Sequence, residues 1–258
     1  MRRNLLLLLA LAGNLSSVWG CAMLSFLGTD ERGRELGRTY FVGGAGSVGN
    51  VVGTIDVPKG LRDARYRGSI EVFGWQSALG GTLRDMLDRG RNEAEARRLA
   101  ERIENYLDQY PGRRVNIIAL SAGTGIATWA LESLAPKYHV GSVVFLGSAM
   151  SREYDLGPAL RAINGHLYVF CSERDPLLKY GVLLTGSVDR EFTGAAGLHG
   201  FELPSGASEQ TRRAYADKLR LCPYKAEYAD FGYNGGHTDS TSPKFIAKVV
   251  YPLLNEKL

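Results

Sequence analysis

The sequence of 258 residues has little cysteine, little histidine and no strong excess of charge. It contains three cysteines and four histidines, and none of them has the spacing of a metal-ligand set. Its 31 basic and 27 acidic residues leave a net charge of +4, which is too small to indicate binding to a polyanion. The sequence therefore predicts no metal or other cofactor and no nucleic-acid partner.

Long apolar runs are also missing. The apolar run from Leu5 to Ala12 is well short of the ~20 residues of a membrane-spanning helix. It follows Arg2 and Arg3 and precedes a small-residue exit at Gly20, which is the order of a secretory signal peptide. We therefore expect residues 1–20 to be a signal peptide and the protein to be exported. Without this segment the net charge falls to +2.

The end of this segment, Val18-Trp19-Gly20-Cys21, resembles a bacterial lipobox, in which the cysteine is lipidated and becomes the new N-terminus. Trp19 departs from the small residue usual before the glycine. The resemblance implies a lipid anchor on Cys21, which would attach the protein to a membrane of the bacterial envelope on its periplasmic or surface side. Ordinary cleavage near Gly20 and an uncleaved N-terminal anchor are the alternatives.

The other two cysteines, Cys171 and Cys222, would lie in an oxidising compartment after export, where they could pair. Cys171 ends the apolar run LYVFC, however, and a free buried thiol is common in such a run. The pairing stays open at this stage.

Strand-like and helix-like segments alternate after residue 38. Near-continuously apolar strands separated by helices are typical of a mostly parallel sheet covered on both faces. We expect residues 21–38 to be a linker and residues 39–258 to be one domain. The predicted strands are RTYFVGG, GSIEVFGW, RVNIIAL, VGSVVFLG and HLYVFC, and the clearest helices are 92–110, 125–134 and a final one from Pro243.

One strand runs into a serine between small residues, Ala119-Leu120-Ser121-Ala122-Gly123. This stretch resembles the nucleophile elbow of the α/β-hydrolase superfamily, where a strained backbone tolerates only small neighbours. Ala119 stands where the family usually has glycine. The resemblance implies a three-layer α/β-hydrolase fold with a mostly parallel central sheet and helices on both faces, and a nucleophilic Ser121.

The superfamily places an acid after a later strand and a histidine near the C-terminus. Asp175 follows the strand HLYVFC, and His237 lies in NGGHTD before the final helix. A serine hydroxyl needs a base to accept its proton, and an acid orients that base. The resemblance therefore implies a triad of Ser121, Asp175 and His237, with Glu173 as the nearest competing acid and Asp239 as a less favoured one.

A tetrahedral intermediate also needs backbone donors for its oxyanion. The resemblance implies that the amide of Ala122 is one of them. A His-Gly-x-Gly-like match to Gly43-Gly44-Ala45-Gly46 places the second at Ala45, with Gly44 as the fallback.

Trp75 and Gln76 follow the second strand at the edge where such a site would open. They are candidates for lining the pocket, although Trp75 fits a packed core indole equally well.

The resemblance implies a serine hydrolase that cleaves small-molecule or lipid carboxylic esters, a carboxylesterase or lipase, and we expect no cofactor. One alternative is a non-catalytic envelope lipoprotein that uses the fold as a binding module. The other is a dinucleotide-binding protein, because Gly44, Gly46 and Gly49 have the G-x-G-x-x-G spacing. Gly53, Pro58 and Gly60 interrupt the helix that this motif requires.

Overall fold

A computed structural model describes residues 28–46, 51–77, 81–181, 187–191 and 194–255. Six parallel strands of the described chain form one sheet, with the neighbour order β2-β1-β3-β4-β5-β6. The strands are β1 (Arg38–Val42), β2 (Ser69–Phe73), β3 (Val115–Leu120), β4 (Val143–Leu146), β5 (Leu167–Cys171) and β6 (Leu219–Pro223).

Helices connect most of the strands. They are α1 (Asp56–Asp63), α2 (Gly81–Leu87), α3 (Arg89–Gln109), α4 (Gly123–Ser133), α5 (Gly157–Arg161), α6 (Ala196–His199), α7 (Glu209–Lys218) and α8 (residues 243–254), which has a π-helical turn at Ile246–Val250. Short helical turns also cover Leu177–Gly181, Ala226–Phe231 and Asp239–Thr241.

The sheet is buried on both faces because helices pack on each side of it. Successive strand residues point to opposite faces, so Tyr40 and Val42 join one apolar core while Phe41 joins the other. The first core is closed by α3, α4 and α5, and the second by α1 and α8. This double burial explains why the inner strands are apolar almost throughout.

The predicted three-layer α/β fold, with a mostly parallel central sheet and helices on both faces, is confirmed. All five predicted strands are present as β1 to β5, and the three clearest helices are present as α3, α4 and α8. The sixth strand, β6, was not predicted, because its residues LRLCP are all half-buried or exposed. An edge strand of this kind lacks the apolar run that marks an inner strand.

Residues 28–37 pack against the sheet. Asp30 forms an antiparallel bridge with Ile70 and an ion pair with Arg62 at 2.7 Å. The hydrogen bonds that Arg32 donates hold the pKa of Asp30 well below its usual range. The predicted signal peptide and Cys21 lie outside the described residues. No helix in the described part of the chain is long and apolar enough to cross a membrane.

Cys171 and Cys222 are free thiols on neighbouring strands. Cys222 lies opposite Phe170, and Cys171 lies opposite Pro223. The two cysteines are therefore one position out of register, which directs their side chains to opposite faces of the sheet.

Candidate active site

The predicted site residues gather at the carboxyl ends of the strands. The neighbour order reverses between β1 and β3, which makes this junction the switch point of the sheet, and ligands of open α/β sheets bind in the crevice at such a point. The loop 43–46 follows β1, and Ser121 follows β3. A Cβ added to Gly123 would lie 2.3 Å from the carbonyl oxygen of Gly43, so the two segments touch.

Ser121 has a strained backbone. Its φ angle is +55°, a left-handed conformation that costs a residue with a side chain about 1–2 kcal/mol. Ala119 and Ala122 on either side are fully buried, so larger side chains would collide with the core. The turn from β3 into α4 therefore has the geometry of the nucleophile elbow to which the sequence is similar.

Hydrogen bonds around the elbow offset this strain. The Ser121 amide donates to the carbonyl of Leu146 at 3.0 Å, and the Ser121 carbonyl accepts a bond from the hydroxyl of Thr124 at 2.6 Å. The Thr124 hydroxyl also lies 2.8 Å from the hydroxyl of Ser148. Thr124 and Ser148 are both fully buried, and their hydrogen bonds hold the turn from β3 into α4 on its buried side.

His237 and Asp175 form a hydrogen-bonded pair. The Nδ1 atom of His237 lies 2.6 Å from Oδ2 of Asp175, and their side chains are 10% and 3% exposed. The other oxygen of Asp175 accepts a bond from the amide of Leu178 at 3.0 Å. The carboxylate is thus held on both sides, and it can fix the imidazole so that Nε2 is the nitrogen left for a substrate or nucleophile.

Gly147 joins the two halves of the site. It follows Leu146, whose carbonyl accepts a hydrogen bond from the amide of Ser121. A Cβ added to Gly147 would lie 3.3 Å from Nδ1 of His237 and 3.4 Å from Oδ2 of Asp175, and its φ angle is +51°. Only glycine allows β4 to end this close to the pair. No pattern in the sequence marked Gly147.

The serine and the histidine lie at one edge without a direct bond. Ser121 is half-buried, and its hydroxyl makes no hydrogen bond to His237 or to any other described residue. Catalytic hydrogen bonds are often long in the absence of substrate.

The competing acids lie in other environments. The side chain of Glu173 is 79% exposed and lies 3.3 Å from Nδ1 of His199. Asp239 accepts a bond from the amide of Asn234 at 2.9 Å, which closes the loop that carries His237. Among the described residues, neither carboxylate forms a hydrogen bond or ion pair with the imidazole of His237.

The predicted oxyanion donors are two amides that have no acceptor in the described part of the chain. In the described residues, neither the Ala122 amide nor the Ala45 amide donates a hydrogen bond, and the fallback Gly44 amide also lacks an acceptor. Buried amides are almost always hydrogen-bonded, and Ala122 is fully buried. Free donors beside the switch point are what an oxyanion requires.

Trp75 and Gln76 bind the loop that carries Ala45. Trp75 is 1% exposed, and its indole nitrogen donates to the carbonyl of Gly43 at 2.8 Å. The amide nitrogen of Gln76 donates to the carbonyl of Gly44 at 2.7 Å. The burial of Trp75 fits the packed-indole alternative. Both side chains are connected to the site by their hydrogen bonds to the loop 43–46.

A cavity of about 580 Å³ lies at the opposite, amino edge of the sheet. It contains none of the predicted site residues. Among the described residues, no cluster of His, Cys, Asp and Glu side chains could hold a metal ion. The cavity is lined by Leu107, Pro111, Gly112, Arg113, Arg114, Lys137, Tyr138, His139, Gly141 and Asn164.

Three solved structures resemble this chain at low identity. Trichoderma reesei cutinase in complex with a phosphonate inhibitor is 16% identical over 95% of this chain and 90% of its own, with a TM-score of 0.45. Esterase PE8 is 11% identical over 86% and 94%, with a TM-score of 0.49. An acetylxylan esterase is 16% identical over 85% and 99%, with a TM-score of 0.43. No protein-family model and no curated protein matches the sequence.

Proposed function

We propose that this protein is a serine hydrolase that cleaves carboxylic esters through an acyl-enzyme on Ser121. The observation that supports this most strongly is the hydrogen-bonded pair of His237 and Asp175 at the same sheet edge as a strained serine. A neutral serine hydroxyl is a poor nucleophile, and a histidine oriented by a carboxylate is the base that activates it.

In the first step the Oγ atom of Ser121 attacks the ester carbonyl while Nε2 of His237 accepts the hydroxyl proton. Asp175 keeps the proton of the imidazole on Nδ1 and stabilises the imidazolium that forms. The carbonyl oxygen becomes an oxyanion, to which the amides of Ala122 and Ala45 donate. Loss of one such donor costs roughly 3–4 kcal/mol of transition-state stabilisation.

Collapse of this intermediate breaks the ester C–O bond, and His237 returns its proton to the departing alcohol. A water molecule then enters, gives a proton to His237 and attacks the acyl carbon. In the second tetrahedral intermediate the bond between the acyl carbon and Oγ breaks, His237 returns its proton to Oγ of Ser121, and the carboxylic acid leaves.

The direct test is hydrolysis of p-nitrophenyl esters of increasing acyl length by the purified protein and by Ser121→Ala and His237→Ala. We expect turnover by the wild type and a loss of at least about a thousandfold in each variant. Matched thioesters and anilides of the best acyl group would then identify the preferred bond. A folded wild type without turnover of any acyl compound would favour the binding-module alternative.

We also propose export and lipidation at Cys21, with residues 1–20 removed and the hydrolase domain beginning near residue 39. This proposal rests on the sequence alone, namely the basic start, the short apolar run and the lipobox-like end. Cys21→Ser should move the protein from the membrane fraction to the soluble fraction. Retention of the variant in the membrane would contradict lipidation at this residue.

A further inference from the structure

The loop 43–46 is tied at three successive peptide groups by side chains from outside it. The indole of Trp75 donates to the carbonyl of Gly43, and the side-chain amide of Gln76 donates to the carbonyl of Gly44. The carboxylate of Asp85 accepts the amide of Gly46 at 2.8 Å. The loop therefore has little freedom to rotate its peptide planes.

These bonds determine where the amide of Ala45 points. The carbonyl of Gly44 and the amide of Ala45 belong to one planar trans peptide, so they point in opposite directions. Since Gln76 holds that carbonyl, it also directs the Ala45 amide to the other side of the loop. The bond from Gly46 to Asp85 fixes the next peptide plane.

Asp85 is a buried carboxylate in a separate helical segment. It lies in α2 and is 0% exposed. Its Oδ1 atom accepts the amide of Ser77 at 2.8 Å and lies 3.4 Å from Nη1 of Arg91. One carboxylate thus joins the loop 43–46 to the segment that carries Trp75 and Gln76.

The approach of α2 to the loop is close. A Cβ added to Gly46 would lie 2.2 Å from the hydroxyl of Thr82, and Gly46 has a φ angle of +71°. Asn92 in α3, which is fully buried, donates to the carbonyl of Asp85 at 2.6 Å. A hydrogen bond from α3 therefore fixes the backbone of Asp85, while the Asp85 side chain binds the loop 43–46.

We infer that Asp85 and Gln76 are positioning residues that aim the Ala45 amide at the oxyanion. This inference rests on the proposed function, because it assigns the amide a role in ester hydrolysis. Neither residue touches the reacting atoms, and both act through the loop. Two backbone amides and Arg91 supply this buried carboxylate with the polar partners that water would otherwise provide.

The test compares Asp85→Asn and Gln76→Met with Glu71→Gln. An asparagine has one acceptor oxygen, so its NH₂ group would face a backbone N–H donor and one of the two loops would be released. Glu71 is a matched control, because it is also a buried carboxylate, 6% exposed. It forms an ion pair with Arg38 at 2.6 Å and, in the described part of the chain, does not bind the loop 43–46.

We expect kcat to fall about 10- to 100-fold in Asp85→Asn, which is less than the full loss of an oxyanion donor. Gln76→Met should lower kcat about tenfold. KM should change less than threefold in both, since the loop acts on the transition state. Glu71→Gln should retain the wild-type kcat at equal folded fraction. An unchanged kcat in folded Asp85→Asn would overturn the inference.

Amide hydrogen exchange gives a readout that does not need activity. In the wild type the amides of Gly46 and Ser77 should be protected, and Asp85→Asn should accelerate at least one of them about tenfold. Unprotected Gly46 in the wild type would overturn the inference even if the variant does not fold. Protected amides in a wild type that hydrolyses no ester would show that the proposed function fails and that the bonds from Asp85 to Gly46 and Ser77 have no catalytic role.

Discussion

The imidazole of His237 and the carboxylate of Asp175 are joined by a 2.6 Å hydrogen bond from separate loops, 62 residues apart in sequence. The pair is nearly buried, so water does not compete strongly for the bond. The pair lies beside Gly147, which follows β4. The carbonyl of the preceding residue, Leu146, accepts a hydrogen bond from the amide of Ser121. This arrangement supports the assignment of a base, an acid and a nucleophile.

The acid can be tested by removing its charge. Asp175→Asn should lower kcat by roughly a thousandfold or more, because an amide that donates to Nδ1 favours the wrong imidazole tautomer. Glu173→Gln should leave kcat within about twofold, since Glu173 is exposed and pairs with His199. Steady-state kinetics on one ester measures both. A silent Asp175→Asn together with an impaired Glu173→Gln would reverse the assignment.

Strain at Ser121 predicts a gain in stability when the nucleophile is lost. Ser121→Gly should abolish activity and raise the free energy of unfolding by roughly 0.5–1 kcal/mol, because glycine accepts a φ of +55° without a side-chain clash. Arg65→Gly is the control, since exposed Arg65 has a φ of +63° away from the site. It should gain similar stability and keep its activity. Urea unfolding measures the change, and a destabilised Ser121→Gly would contradict the strained turn.

Gly147 should be intolerant of a side chain for a reason beyond its backbone. Gly147→Ala adds a methyl group 3.3 Å from Nδ1 of His237, so it should lower kcat at least about tenfold through displacement of the imidazole. Gly112→Ala has a similar backbone penalty, with φ +76°, but its Cβ meets no atom within 4 Å. Both variants should lose about 1 kcal/mol of stability. Equal activities of the two at equal folded fraction would show that Gly147 does not shape the pair.

Cys171 and Cys222 should not form a disulfide in the folded protein. Because Cys171 and Cys222 are out of register by one residue, a disulfide between them would require the strands to shift. Burial raises the pKa of the Cys171 thiol to about 11. We expect dithiothreitol to leave the melting temperature unchanged and iodoacetamide to spare Cys171 in the native protein. A melting temperature that falls on reduction would indicate a bridge.

Glu132 should make stability depend on pH. Burial raises its pKa from 4.5 to about 7, against the opposing hydrogen bond from Tyr154. Between these two values the folded chain binds more protons than the unfolded chain, so the free energy of unfolding should fall as pH rises from about 4.5 to 7. Glu132→Gln should remove this component, whereas exposed Glu209→Gln should not. Identical pH profiles for Glu132→Gln and the wild type would contradict this account.

Most of the fold could be predicted from the sequence, since buried parallel strands are apolar throughout and their helices are amphipathic. β6 escaped because it lies at the sheet edge, and the α2 helix, with Asp85, carries no local motif. The segments that bear Ser121 and Asp175 were visible because strand-to-turn junctions have a sequence pattern, and His237 was visible from its place in NGGHTD before the final helix.

Other parts of the site depend on distant contacts. The space beside Gly147 is restricted by His237 and Asp175, which distant parts of the chain bring there. Asp85 accepts hydrogen bonds from amides 8 and 39 residues away. Trp75 and Gln76 were predicted near the site, but their bonds to the loop carbonyls follow from tertiary packing. No spacing in the sequence encodes these contacts.

The most direct test of an activated serine is labelling of the purified protein with a fluorophosphonate probe, followed by peptide mapping. We predict a covalent adduct on Ser121 that is lost in the folded His237→Ala variant, with Glu71→Gln labelled as strongly as the wild type. A folded wild-type protein that carries no adduct on Ser121, or one labelled equally in His237→Ala, would contradict a nucleophile activated by His237.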